Sequence, residues 1–480
     1  MTDSATPTTT PSQRRIRDLP TPAGWPLLGQ LTQLRPLRLH LQLEAWAREL
    51  GTPYRIQMGP GLQVLIWDDY PLLQQVSRER PQGYTRGSTL QPTFEEMGVN
   101  GLFSVEGEAW HAQRRLIMQA LNATHFKGWF ASMANITERL YRRWLRAAER
   151  GEMLEMTDEL KRYTVDITSA LAFGENPNTL EVEGNRIQQQ LEVIFPMVQK
   201  RALLPVRYWN WIRLPEDRRL DRALAEVHAY ARERIAKCRA RLHEADPGAP
   251  RNALEALLMH QHEQGLSEQD IVANVITLLV AGEDTTSNSL AWTMMYLAAD
   301  RPLQQRMHER ALDRLGEHAV CPSHECLHGL DDFEPLALEA LRLKPVVPFN
   351  SFTSLQPTVL DGVSLPTGTT IFFLKRPAML DPANFDHPET YDPERWRRER
   401  GTPGMVHEPR AFVQFGAGPR VCPGRHLANL EMRLVLSMLL RNFEVELACD
   451  PASIEEVNAF TMMPSKMPVR LKRRATAASA

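Results

Sequence analysis

Residues 415–424 read Phe-Gly-Ala-Gly-Pro-Arg-Val-Cys-Pro-Gly, and this stretch restricts the chain more than any other. Gly416, Gly418 and Gly424 have no Cβ, so backbone there can come close to a bulky partner. Pro423 suits the first position of a helix, where its missing N–H costs no hydrogen bond. Leu427, Leu430, Leu434 and Met438 recur every three to four residues, which predicts a helix over 425–441. Cys422 therefore stands at a helix start, where free N–H groups and the helix dipole favour thiolate over thiol. A thiolate with backbone donors around it suits the axial position of a haem iron. Two blander readings compete. A lone cysteine is most often a buried structural residue. Gly416-Ala-Gly418 also opens a dinucleotide loop, but Val421 fills the third glycine position and too little chain follows for a parallel sheet.

The rest of the composition narrows the setting. At 480 residues and 43% hydrophobic the chain can bury a large core. A formal net charge of -2 gives no reason to expect nucleic acid as a partner. The cysteines, Cys238, Cys321, Cys326, Cys422 and Cys449, are sparse and odd in number, which fits a reducing compartment rather than a disulfide framework. No N-terminal apolar run is long enough for a signal peptide or a membrane span. The expectation is a cytoplasmic protein without a membrane anchor, with a disordered tail over 1–18 and one domain over 19–480.

Along the chain, residues 19–29 are rich in Pro and Gly and cannot be helix. Residues 54–58 and 63–67 flank Gly59-Pro60-Gly61, which reads as a hairpin. Residues 83–105 show little periodicity and read as a long irregular region. Trp110 and Arg114 then share one helix face at i, i+4. Helices are expected over 137–150, 158–172, 179–200 and 218–243, with 201–215 as a loop over the interior. Residues 267–300 predict a helix of about 50 Å. Its middle is apolar nearly all round, then meets Glu283-Asp284-Thr285-Thr286-Ser287-Asn288. Such a polar block inside a core helix is locally costly, which marks a functional site; its blander reading is a helix distortion with Thr bonded back to a carbonyl. Cys321, His324, Cys326 and His328 lack an established zinc spacing and read as a surface connection. Glu339 and Arg342 form an i, i+3 pair. Residues 345–352, 358–365 and 369–375 look extended, and 443–471 reads as hairpins.

Together these motifs resemble the cytochrome P-450 family. The pattern Phe-Gly-x-Gly-x-Arg-x-Cys-x-Gly is filled at every fixed position by Phe415, Gly416, Gly418, Arg420, Cys422 and Gly424. Trp110-x-x-x-Arg114, Ala281-Gly282-Glu283-Asp284-Thr285-Thr286, Glu339-x-x-Arg342 and Pro393-Glu394-Arg395 follow the family's order.

The resemblance implies a mainly α fold with a smaller β-rich lobe (about 51–67, 345–375 and 443–472). Haem b (iron protoporphyrin IX) lies between the oxygen-motif helix and the helix after Cys422. It assigns Cys422 to the iron, and Trp110, Arg114, Arg420, Ala281, Gly282, Phe415, Gly416 and Gly424 to cofactor binding, with Gly282 leaving room beside the iron. Thr285 faces the oxygen groove, Asp284 relays protons from a solvent path, and Glu339, Arg342 and Arg395 form a structural charge network. Phe94, Phe103, Val280, Phe349 and Met462 line an apolar pocket, so the substrate is lipophilic; fatty acid, terpenoid, steroid and polyketide all fit.

The implied reaction is monooxygenation with O2 and NAD(P)H-derived electrons. A separate ferredoxin or flavodoxin with its reductase delivers them, docking near Arg115, Arg410, Arg425 and His426 of a monomer. A haem-thiolate peroxygenase or isomerase and a non-catalytic haem sensor are the alternatives; intact Asp284 and Thr285 argue against the first. The sequence departs from the family in one place. Many members carry an Arg for a haem propionate where Asn350, Ser351 and Phe352 stand here.

Overall fold

The helix Glu268–Ala299 is 32 residues long and sets the frame for the site. Ser267 starts it: the Asp270 N–H donates to Ser267 Oγ at 3.1 Å, and the Ser267 N–H donates to Asp270 Oδ2 at 2.9 Å. This two-way cap satisfies donors that the first turn leaves free. Asp300 ends the helix and caps the next, Arg301–Leu315, by accepting from the Leu303 N–H at 2.8 Å. The computed structural model that shows this describes residues 13–475 apart from 60, 88, 183–185, 205, 245–249, 262, 264 and 398–404. No helix among the described residues is long and apolar enough to cross a membrane.

Helices pack around that frame as their apolar stripes require. Arg425–Asn442 follows the cysteine loop and buries Leu427, Leu430, Leu434 and Met438. Met156–Phe173 lies directly against the frame helix, where the Thr164 hydroxyl donates to the Glu283 carbonyl at 3.1 Å. Glu334–Leu343 carries Glu339, which is wholly buried. Its carboxylate accepts from Arg342 at 2.9 and 2.8 Å, from Arg395 Nε at 2.9 Å, from Trp396 Nε1 at 2.9 Å and from the Asp392 N–H at 3.0 Å.

The β structure forms beside the helices. A five-stranded sheet runs in the order Tyr54–Gln57, Gln63–Trp67, Thr370–Leu374, Phe349–Ser354, Tyr84–Arg86, with the Gln63–Trp67 and Thr370–Leu374 pair parallel and the others antiparallel. Its register puts Arg86 opposite Phe352, Phe352 opposite Ile371, and Asn350 opposite Phe373. Cross-strand partners share a face. This face packs Leu65, Trp67, Phe352, Ile371 and Phe373 with Val413, just ahead of the cysteine loop. A hairpin, Glu456–Ala459 with Thr461–Pro464, turns at Phe460 with φ of 84°.

Three expectations need correction. Residues 14–18 are not a disordered tail: Arg14–Arg15 pairs in parallel with Val363–Leu365, Ile16–Asp18 forms a turn of helix, and Arg14 bonds to Asp361. Residues 1–12 lie outside the described ones. The stretch 83–105 is not irregular throughout, since it holds the edge strand Tyr84–Arg86 and the helix Leu90–Glu96; three residues are too few to show a period of two. The helix expected from Thr179 begins at Arg186 instead. Thr179 is held outside it, donating its N–H and hydroxyl to buried Asp166 at 2.7 and 2.8 Å.

Candidate active site

The cysteine loop is built by backbone conformations that glycine permits. Gly416 and Gly418 have φ of 78° and 67°, the left-handed region that costs other residues most. A Cβ on Gly418 would also clash with the Ser77 carbonyl. The Cys422 N–H donates to the Phe415 carbonyl at 2.8 Å, closing the loop ahead of the helix. Cys422 has open surface, yet enough protein surrounds it for burial to raise its thiol. It therefore borders an interior space. The Gly424 and Arg425 N–H groups and the Arg114 charge pull toward thiolate, as the helix start predicts, but burial outweighs them in the free protein.

A matching opening runs along the frame helix. Its residues are mostly buried, but Ala281 is exposed and Thr277, Leu278, Gly282 and Thr285 are half-buried. These positions recur at three and four, so they form one stripe. Thr285 donates its hydroxyl to the Ala281 carbonyl at 2.8 Å, which leaves its oxygen lone pairs toward the stripe. The back-bond of the blander reading is thus present, in a helix that stays α-helical from Glu268 to Ala299. Gly282 corrects the expectation of room beside the iron: a Cβ there would run into the Thr168 side chain of Met156–Phe173. The missing side chain permits two helices to touch.

Asp284 needs a correction too. It is buried rather than open to solvent, and Thr461 from the distant hairpin hydrogen-bonds its carboxyl. Burial raises Asp284 above the usual carboxylate range, opposed by Lys161 and helped by Glu192. Glu283 beside it is raised further by burial and by Asp284, and its Oε2 has no hydrogen-bond partner. Glu283 stands in the polar block of the sequence, but its burial was not legible there because the neighbouring helix supplies it.

Cations gather near the cysteine loop. The Arg420 guanidinium stacks on the buried Trp110 ring at 4.5 Å. Arg420 Nη2 and Arg80 Nη2 both donate to Glu106, the latter at 2.6 Å, and the Arg86 N–H joins them at 3.1 Å. Arg420 Nε and Nη1 and Arg86 Nε are buried without hydrogen-bond partners among the described residues. Burial lowers Arg420 and Arg86 to about 9; it lowers Arg114 as well, with Cys422 opposing. Orphaned guanidinium donors beside an accessible thiol fit a planar iron group bearing carboxylates. Glu106, Arg80 and Arg86 escaped the sequence reading because only the fold brings them to Arg420.

The expected pocket residues divide. Phe94 and Phe103 lie 5.5 Å apart between ring centroids, with Phe460 5.9 Å beyond Phe103. Val280 is half-buried on the frame helix. Phe349 is stacked on Phe372 at 5.0 Å in a cluster on the sheet's other face. Met462 is wholly buried against Trp292, Ala340 and Val346, so it is core; its neighbour Thr461 meets another part of the frame helix, accepting from Asn288 Nδ2 at 3.1 Å. The expected docking residues Arg115, Arg410, Arg425 and His426 are all exposed; Arg410 is also paired with Glu408 at 2.7 and 2.9 Å. No group of three or more His, Cys, Asp or Glu side chains placed to hold a metal ion occurs among the described residues.

Comparison with known proteins agrees with this geometry. The family model for Cytochrome P450 matches residues 19–471. The mitochondrial 25-hydroxyvitamin D-1 alpha hydroxylase of Mus musculus is 26% identical, over 90% of this chain and 87% of its own length. The mitochondrial sterol 26-hydroxylase of Homo sapiens is 27% identical, over 92% and 87%. Cyclooctat-9-en-7-ol 5-monooxygenase of Streptomyces melanosporofaciens is 27% identical, over 87% of each. These relatives overturn the expectation of a cytoplasmic protein, since mitochondrial enzymes match the chain as well as a bacterial one does. A family match over residues 19–471 establishes that the protein belongs to the cytochrome P450 family and is a monooxygenase of the haem-thiolate kind that the family implies.

Proposed function

We propose that haem b binds between the stripe Thr277–Ala281–Thr285 and the cysteine loop, with Cys422 as the thiolate ligand. The observation that carries this is that Cys422 alone among the five cysteines is exposed. Trp110, Arg114 and Arg420 hold the haem carboxylates. When bound, the haem supplies oxygen binding and activation, and the thiolate favours O–O cleavage. One oxygen atom enters the substrate and the other leaves as water, which consumes two electrons and two protons. NAD(P)H supplies the electrons through a separate ferredoxin or flavodoxin system, docking at Arg115, Arg425 and His426 of a monomer. The Phe94, Phe103 and Phe460 rings favour a lipophilic substrate. The relatives are named for 25-hydroxyvitamin D, sterol and cyclooctat-9-en-7-ol, which favours a lipophilic alcohol.

The ferrous carbonyl complex is expected to show the red-shifted Soret band of thiolate ligation, and Cys422→Ala to lose it. A Cys422→Ala protein that kept that band would end the assignment.

Proton supply falls to Thr285 and Asp284. The Thr285 hydroxyl, already donated to Ala281, accepts from a water in the groove and orients it. Asp284, protonated more readily than an ordinary carboxyl, passes protons on through Thr461 and that water. Thr285→Ala is expected to bind substrate normally and to divert electrons into hydrogen peroxide. Product per NAD(P)H should fall by on the order of 10²-fold, the low end for positioned proton transfer. Measuring NAD(P)H, peroxide and product in one reconstituted assay decides it; wild-type coupling in Thr285→Ala and in Thr285→Ala with Thr286→Ala would refute the relay.

A further inference from the structure

We propose that Lys375, on the same sheet face as Arg86, holds a haem carboxylate in place of the arginine that the strand Phe349–Ser354 lacks. This rests on haem binding as proposed above.

The placement follows from strand register. Arg86, Phe352, Asn350, Ile371 and Phe373 share one sheet face. Lys375 lies two residues beyond Phe373, and its N–H donates to the Pro348 carbonyl at 3.0 Å, so the alternation continues and Lys375 stays on that face. The same face meets Val413. A cavity of about 40 Å³ there is lined by Arg80, Arg86, Asn350, Gly416 and Arg420 among others. Asn350 thus occupies the wall where the family's arginine is missing, and it is too short and uncharged to replace one.

Lys375 is 1% exposed. Its ammonium feels Arg86 and Cys422, with no hydrogen bond or carboxylate partner among the described residues. Burial and Arg86 lower it to about 7, opposed by Cys422. Arg86 keeps open surface while burial lowers it to about 9, so it too borders an interior space. Glu106 already accepts from Arg80, Arg86 and Arg420, and cannot balance Lys375 as well. A buried cation without a counter-charge is costly. A carboxylate brought in by the cofactor removes that cost for Lys375 and gives Arg86 Nε an acceptor.

Haem loss to excess apomyoglobin tests the assignment without any catalytic assay. Wild type, Lys375→Met and Arg86→Gln are each loaded with haem or with haem dimethyl ester, whose carboxylates are blocked. Each variant is expected to release haem on the order of 10-fold faster than wild type, and the dimethyl ester at about the wild-type rate for that ester. Equal acceleration for both cofactors would mean that Lys375 acts through packing and would overturn the proposal. So would unchanged haem release in Lys375→Met. Failure of wild type to hold haem would sink the haem reading itself, which is a distinct result.

Discussion

Glu339→Ala is expected to destabilise the protein by about 3–5 kcal/mol. The carboxylate is fully buried and receives Arg342, Arg395, Trp396 Nε1 and the Asp392 N–H. Removing it leaves two guanidinium groups in the interior with no compensating charge. Arg342 would still donate to the Met379, Pro388 and Thr390 carbonyls at 2.7, 2.6 and 3.1 Å, so it cannot swing out to water. Breaking a buried pair from one side is the expensive case, whereas replacing the whole group by packed apolar residues is not. Glu339→Gln keeps an acceptor and should lose less. The comparison is made by urea midpoints for both variants. A loss below about 1 kcal/mol for Glu339→Ala, the range of exposed ion pairs, would show that the network is not structural.

What the sequence made legible was chemistry confined to one short stretch. The cysteine loop, Trp110 with Arg114, and the polar block of 283–288 each carry their signal in covalent spacing, and each lies on the element expected. Features that depend on what another element brings were invisible. Gly282 looked like room for a ligand, but the atom it makes way for belongs to Thr168. Asp284 looked solvent-facing because helical geometry alone cannot show that Thr461 covers it. Lys375 closes a stretch, 369–375, that reads only as extended, and its sheet face is not known until the register with Asn350 and Arg86 is known. Met462 and Phe349 were apolar residues near the right segments. Period-two alternation turns each toward core on the face away from the cavity, and a shift of one residue decides that.

A buried acid outside the proton path gives the second large effect. Glu431 sits on the helix after the cysteine loop, 1% exposed, with neither carboxyl oxygen hydrogen-bonded among the described residues. Burial alone holds it well above the ordinary carboxylate range, and its field helps raise the buried Tyr163 hydroxyl. The sign follows from comparing the two states. Below about pH 4, near the unfolded value, the carboxyl is protonated in both and its titration contributes nothing. As pH rises past that value the unfolded chain ionises while the folded protein keeps the proton, so the unfolded state gains. Stability then falls by about 1.4 kcal/mol per pH unit until the raised folded value is reached. Glu431→Gln keeps the shape and removes the ionisation. Its advantage over the parent should therefore be small at pH 5 and grow steadily through pH 8, read from urea midpoints at each pH. Glu283 shares the sign, but Asp284 beside it would mix two titrations, which makes Glu431 the cleaner site. A difference that stayed constant with pH would mean that the unfolded and folded carboxyls titrate together, and that Glu431 finds a partner the folded chain does not otherwise supply.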